Sequence, residues 1–84
     1  MFTVVYELDA AHQYQDLPRA IRGRINKLAE RLESWPNVSG VKPLRGNLAG
    51  RFRIRTGDYR VQFRVAGNRV IIERVGHRDG FYED

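Results

Sequence analysis

The sequence predicts an α+β fold with the element order β-α-α-β-β-β. A two-helix hairpin is expected to cover one face of a mostly antiparallel four-stranded sheet and to leave the opposite face basic. Three observations carry this reading. Ile21, Ile25, Leu28, Leu32 and Trp35 recur at spacings of 4, 3, 4 and 3, one apolar stripe along a helix. The stretch GRFRIRTGDYRVQFRV, residues 50–65, alternates apolar and charged residues on both sides of a short turn. The charge is also uneven: residues 42–78 hold ten basic and two acidic side chains, whereas residues 1–41 hold five of each.

Along the chain, FTVVYEL (2–8) is β-branched and aromatic and reads as the first strand. Asp9 is the expected N-cap of a short helix reaching about Gln15, with Ala10, Tyr14 and Leu17 as its apolar side. Pro18 marks the first turn of the second helix, and Pro36 is expected to end it. NVSGVKPLRGN (37–47) has loop composition. A strand at about 50–55 then puts Phe52 and Ile54 on one face and Arg51, Arg53 and Arg55 on the other. The next, at about 59–66, separates Val61, Phe63 and Val65 from Arg60, Gln62 and Arg64. Gly67-Asn68 is a two-residue hairpin signal leading to RVIIERV (69–75), where Arg74 breaks the alternation and implies a bulge or a strand end.

Composition narrows the chemistry. With 84 residues, one domain spanning 1–84 is expected. There is no cysteine, hence no disulfide, thiolate nucleophile or thiolate metal site, which fits a reducing cytoplasm. The opening MFTVVYELDAAH lacks a basic n-region, so neither a signal peptide nor a membrane span is expected. No metal-ligand cluster is visible, Asp58 and Glu73 form no evident catalytic acid pair, and no cofactor is implied. His12 reads as a surface helix residue and Trp35 as core.

A turn at Thr56–Tyr59 makes Arg55 oppose Arg60, Arg53 oppose Gln62 and Arg51 oppose Arg64, all on the non-core face. Polar residues on an exposed sheet face are ordinary. Like charges opposed across two strands are not, because each pair costs a few tenths of a kcal/mol or more. The compensating acids lie mostly elsewhere in the chain, so an anionic ligand is expected to relieve the repulsion. Thirteen of the fifteen cations are arginine, whose planar fork suits phosphate and carboxylate.

VKPLRGNLAGRFRIRTGDYRVQFRV, followed by VIIERVGHRDGFY, resembles the RelE/ParE superfamily of bacterial type II toxins, with RelE-like members nearest. The resemblance implies a ribosome-dependent endonuclease that cleaves mRNA in the A site, without a metal, by attack of the 2′-hydroxyl on the adjacent phosphodiester. It puts catalytic positions at Arg53, Arg55, Arg60, Arg78 and Tyr82, and basic loop contacts to RNA or ribosome at Lys42 and Arg45, with Arg51 and Arg64 adding to that binding face. The best-known members carry lysines where this chain has Arg53 and Arg55, and arginine is no general base at neutral pH. Tyr82, in the family position, is the first candidate for that role, and His77, an imidazole, the second. Asp79 and Gly80 stand where more basic residues are common, and Gly80 implies a mobile segment. The resemblance also implies a cognate antitoxin, and operator DNA reached only through the antitoxin complex. Two other activities occur among such proteins: gyrase inhibition of the ParE type, and antitoxin binding without activity.

Overall fold

The computed structural model describes residues 1–81. The first strand, β1 (Thr3–Tyr6), leads into α1 (Leu8–Gln15) and α2 (Arg19–Leu32). A two-residue strand, β2 (Lys42–Pro43), and a 3₁₀ turn at Gly46–Leu48 precede β3 (Arg51–Thr56), β4 (Tyr59–Ala66) and β5 (Arg69–His77). A second 3₁₀ turn, Arg78–Gly80, closes the described chain. The sheet order is β1-β5-β4-β3-β2, with β1 parallel to β5 and the other pairs antiparallel.

The α+β class and mostly antiparallel sheet are as expected, but the sheet has five strands rather than four. The extra one is β2, inside the segment whose composition reads as loop; it sets Lys42 opposite Arg53 and Pro43 opposite Phe52. A two-residue strand has no periodicity to read. Its proline lacks an N–H, which only an edge position tolerates, and β2 is the edge.

The helix ends differ in detail. Glu7, not Asp9, is the N-cap residue of α1, and its side chain makes no capping bond. The Glu7 carboxylate is drawn instead to Arg64 Nη2, 3.3 Å away. Asp9 falls in the first turn, where a carboxylate meets the positive end of the helix dipole. Pro18 precedes α2 as its N-cap, and its carbonyl accepts from the N–H groups of Ile21 and Arg22. The helix stops at Leu32, before Pro36, and turns carry the chain onward.

Ala10, Ile25, Leu28 and Leu32 from the helices pack on Ile54, Val61, Phe63, Val70, Ile72 and Val75 from the sheet, all buried. The strand set explains Arg74. Val70 and Ile72 share one parity, and Val75 has the other. Gln62 pairs with Arg74 but Phe63 pairs with Ile72, so Glu73 is an extra residue in β5. This β-bulge brings Val75 back to the core and leaves Glu73 and Arg74 on the outer face. Beyond the end of β1, the Val75 N–H donates to Gln13 Oε1 of α1 at 2.8 Å, which replaces the missing strand partner.

Candidate functional site

Directly opposed residues in a sheet point to the same side, so the registers arrange the outer face in rows. One row is Arg51, Arg64, Ile71 and Val5. The next is Lys42, Arg53, Gln62 and Arg74. The last is Arg55, Arg60 and Gly76. The three pairings expected from the hairpin, Arg55–Arg60, Arg53–Gln62 and Arg51–Arg64, are those observed. The hairpin turns on Gly57, with φ of +58°, followed by Asp58 at negative φ, the pattern of a type II′ turn that keeps two-residue loops in register.

The bulge changes how this face is charged. Glu73, with its side chain only 11% exposed, accepts from Arg51 Nε at 2.8 Å and from Arg64 Nε at 3.1 Å. The amide of Gln62, itself buried, donates to the same carboxylate at 3.3 Å. Arg64 also reaches Glu7. The expectation that the compensating acids lie elsewhere is therefore corrected for one row: the Arg51–Arg64 repulsion is relieved from within. In the other two rows, none of the paired strand positions among the described residues is acidic. The sequence signal for Glu73 is Ile71-Ile72-Glu73-Arg74, two apolar residues followed by two charged ones where a regular strand would alternate.

The chain end is anchored to the same face. Gly76 has no side chain, and an added Cβ there would lie 3.4 Å from the Phe81 ring. The Arg74 guanidinium stacks over that ring, 4.3 Å from its centroid, and donates to the Gly80 carbonyl. Phe81 is thereby buried although it lies outside the helix-side core. The Arg78 N–H donates to the Asp58 carbonyl at 2.7 Å, which fixes the turn to the β3–β4 hairpin. The mobility expected of Gly80 is thus opposed by contacts on both sides of it. A cation–π contact contributes about 0.5–2 kcal/mol, so Phe81→Ala should raise amide exchange at residues 79–81 by about tenfold, read by hydrogen exchange. Unchanged exchange would show that the stack holds nothing in place.

The structure separates the expected site residues into groups. Arg53, Arg55, Arg60 and Lys42 share the other two rows, and Arg51 and Arg64 form the Glu73-bound row. Arg45 is exposed, beside Leu44, which is buried and whose N–H donates to the Arg51 carbonyl. Arg78 is exposed at the hairpin end, 3.9 Å from Asp58 and 3.8 Å from Asp79. His77 is not with them. It pairs with Tyr59 on the helix side of the sheet, its ring 5.3 Å from that of Tyr59, and its Nδ1 accepts from the Asp79 N–H. Tyr82 lies outside the described residues. Sequence reading missed Glu73 as the partner of Arg51 and Arg64, and the Arg74–Phe81 stack. The broken alternation at 71–74 is the one trace of the first contact, and nothing in the alternation signals the second.

An arginine pair opposed across β3 and β4, flanked by Arg53 and Lys42, presents several forked donors to an anion on one surface. The sequence profile described as "ParE toxin of type II toxin-antitoxin system, parDE" matches residues 3–80. The chain belongs to the RelE/ParE superfamily of type II toxins. It is 34% identical over 83 residues to Toxin RelG of Mycobacterium tuberculosis, covering 96% of this chain and 95% of that one. It is 29% identical over 86 residues to Toxin RelE3 of Methanocaldococcus jannaschii, covering 99% and 93%. In three dimensions it is similar to a chain of the toxin–antitoxin complex RelBE2 from Mycobacterium tuberculosis, with a TM-score of 0.80, 34% identity, and coverage of 92% and 98%. Membership of this toxin superfamily accounts for the fold over nearly the whole chain. No helix among the described residues is long and apolar enough to cross a membrane.

Proposed function

We propose that this toxin is a ribosome-dependent mRNA endonuclease. The observation that carries the reading is the Arg55–Arg60 pair, adjoining the Lys42–Arg53 row, with Arg78 held at the same hairpin by Asp58. Arg55 and Arg60 clamp the non-bridging oxygens of the scissile phosphate, and Arg53 adds charge as the phosphorane forms. The 2′-oxygen bonds to phosphorus and the bond to the 5′-oxygen breaks, leaving a cyclic phosphate. Tyr82 takes the 2′-hydroxyl proton. His77, on the far side of the sheet, is poorly placed for this, which favours the tyrosine. Arg78 offers positive charge to the leaving 5′-oxygen, which takes its proton from water, since a guanidinium gives up a proton reluctantly. Lys42 and Arg45 hold the RNA backbone or the ribosome, and no metal takes part.

A cognate antitoxin follows from the same reading. The similar Mycobacterium tuberculosis chain was solved in a toxin–antitoxin complex. An acidic segment laid over the arginine face would silence it, and operator DNA would be reached only through that complex. The site of action is the cytoplasm, with the ribosome. The ParE description of the matched family keeps gyrase inhibition as the second reading.

Mapping mRNA 5′ ends in a purified translation system tests this directly. New ends inside translated codons are expected with ribosomes present and not in a ribosome-free control. Folded protein that produces no new ends would overturn the nuclease, and a supercoiling assay with gyrase would then decide the second reading.

A further inference from the structure

Arg74 stands on the outer face of the sheet, yet its guanidinium is turned to the chain's own end. The guanidinium carbon lies over the Phe81 ring, 4.3 Å from the centroid, and Nη2 donates to the Gly80 carbonyl. Arginine can make both contacts at once, because its flat face stacks while its edge donates. Gly76 completes the seat. It pairs with Arg60, which pairs with Arg55, so a side chain at 76 would stand at the end of that row. The Phe81 ring takes the space instead, 3.4 Å from where a Cβ would be, and the residue is buried. Backbone bonds hold the turn that brings it there. The Arg78 N–H donates to the Asp58 carbonyl at 2.7 Å, and the Phe81 N–H to the Arg78 carbonyl at 3.1 Å. The chain is thus fixed at residue 81 beside the Arg55–Arg60 pair, and the next residue in sequence is Tyr82.

We propose that Arg74 is a positioning residue: with Gly76 it seats Phe81 at the end of the Arg55–Arg60 row and so sets the point from which the chain continues into Tyr82. The seat stands on the contacts alone. Its consequence for catalysis rests on the nuclease reading, in which Tyr82 takes the 2′-hydroxyl proton. A proton acceptor misplaced by about 1 Å can cost up to about 10² in rate while substrate binding is untouched. Arg74 therefore acts through Phe81 and not by gripping a phosphate.

The test compares Arg74→Gln, Phe81→Leu and the double variant, first by hydrogen exchange without substrate. Each single change should speed exchange at residues 79–81 by about tenfold. The double should add less than about threefold to either, because one missing partner already ends the stack. Unchanged exchange in Arg74→Gln, or effects that multiply in the double, would overturn the seat. Protection kept across β4 shows that the fold is intact. Should Arg74→Gln lose that protection, Phe81→Leu carries the same test. Cleavage in the purified translation system follows. Both single variants should lose about 10–100-fold in kcat, with KM for mRNA-programmed ribosomes within about twofold of wild type. Arg74→Lys, which keeps the cation–π attraction but not the fork, should fall between arginine and glutamine. A KM raised in Arg74→Gln but not in Phe81→Leu, with kcat kept in both, would make Arg74 a ligand contact and overturn the proposal. Faster exchange with unchanged cleavage in both variants would overturn the catalytic part. Faster exchange in both, with no cleavage even by wild type, would uphold the seat and remove the nuclease reading.

Discussion

Arg60→Ala is expected to lower ribosome-dependent cleavage about 10²–10³-fold, the usual loss when one preorganised donor to a developing oxyanion is removed. Arg60 stands opposite Arg55, and its row ends at Gly76, over which the Phe81 ring lies. In the proposed nuclease it is the position from which a guanidinium reaches a phosphate also held by Arg55. The fold should be indifferent to the change. Arg60 lies on the outer face, outside the buried core, so stability should stay within about 1 kcal/mol of wild type. Single-turnover cleavage beside a thermal melt separates the two effects. Lysine at the same position retains charge but not the fork, and is expected to fall between arginine and alanine. Full activity in Arg60→Ala would remove the phosphate clamp and leave the arginine rows as a docking surface.

The rows themselves were readable before any coordinates. Alternation in 51–56 and 59–66 with a two-residue turn fixes which residues oppose one another, and a register error of one would have sent every arginine into the core. The helical stripe was equally plain because it repeats over four turns. What could not be read is what does not repeat. β2 is two residues long, the Glu73 bulge is one extra residue, and the Phe81 stack depends on the chain doubling back over Gly76. The bulge left a trace as the misfit of Arg74. Alternation alone cannot say whether a misfit ends a strand or adds a residue to it. The two endings differ in what reaches each face: regular alternation would already turn Glu73 outward, but only the bulge keeps Arg74 on the outer face as well and returns Val75 to the core. His77 illustrates the same limit. Its imidazole recommended it as a base, but only the pairing with Tyr59 shows that it faces away from the arginine rows.

Phe63→Ala should be the most damaging substitution to the fold, costing about 3–5 kcal/mol. Phe63 is fully buried, stacked on Phe52 with centroids 5.5 Å apart and met edge-on by Trp35 at 5.4 Å. It therefore joins the segment after α2 to the two central strands that carry the arginines. It also lies next to the register shift, where Gln62 and Phe63 straddle the extra residue of β5. A large ring at that point holds the core side of the bulge while Glu73 holds the outer side. A chain of this size buries a smaller share of its surface than a larger domain does, and total stabilities of about 5–15 kcal/mol are usual, so the loss removes a large part of the whole. Thermal unfolding by circular dichroism is expected to move down by at least about 12 °C, taking 4–8 °C per kcal/mol for small domains. Phe63→Leu, which keeps most of the volume, should lose far less. The two variants also test the link between core and site. If the bulge is held from both sides, Phe63→Ala studied at low temperature, where it is still folded, should loosen the Glu73 contacts and raise amide exchange at residues 72–75. A folded Phe63→Ala with wild-type exchange there would show that the ion pairs hold the bulge without help from the core.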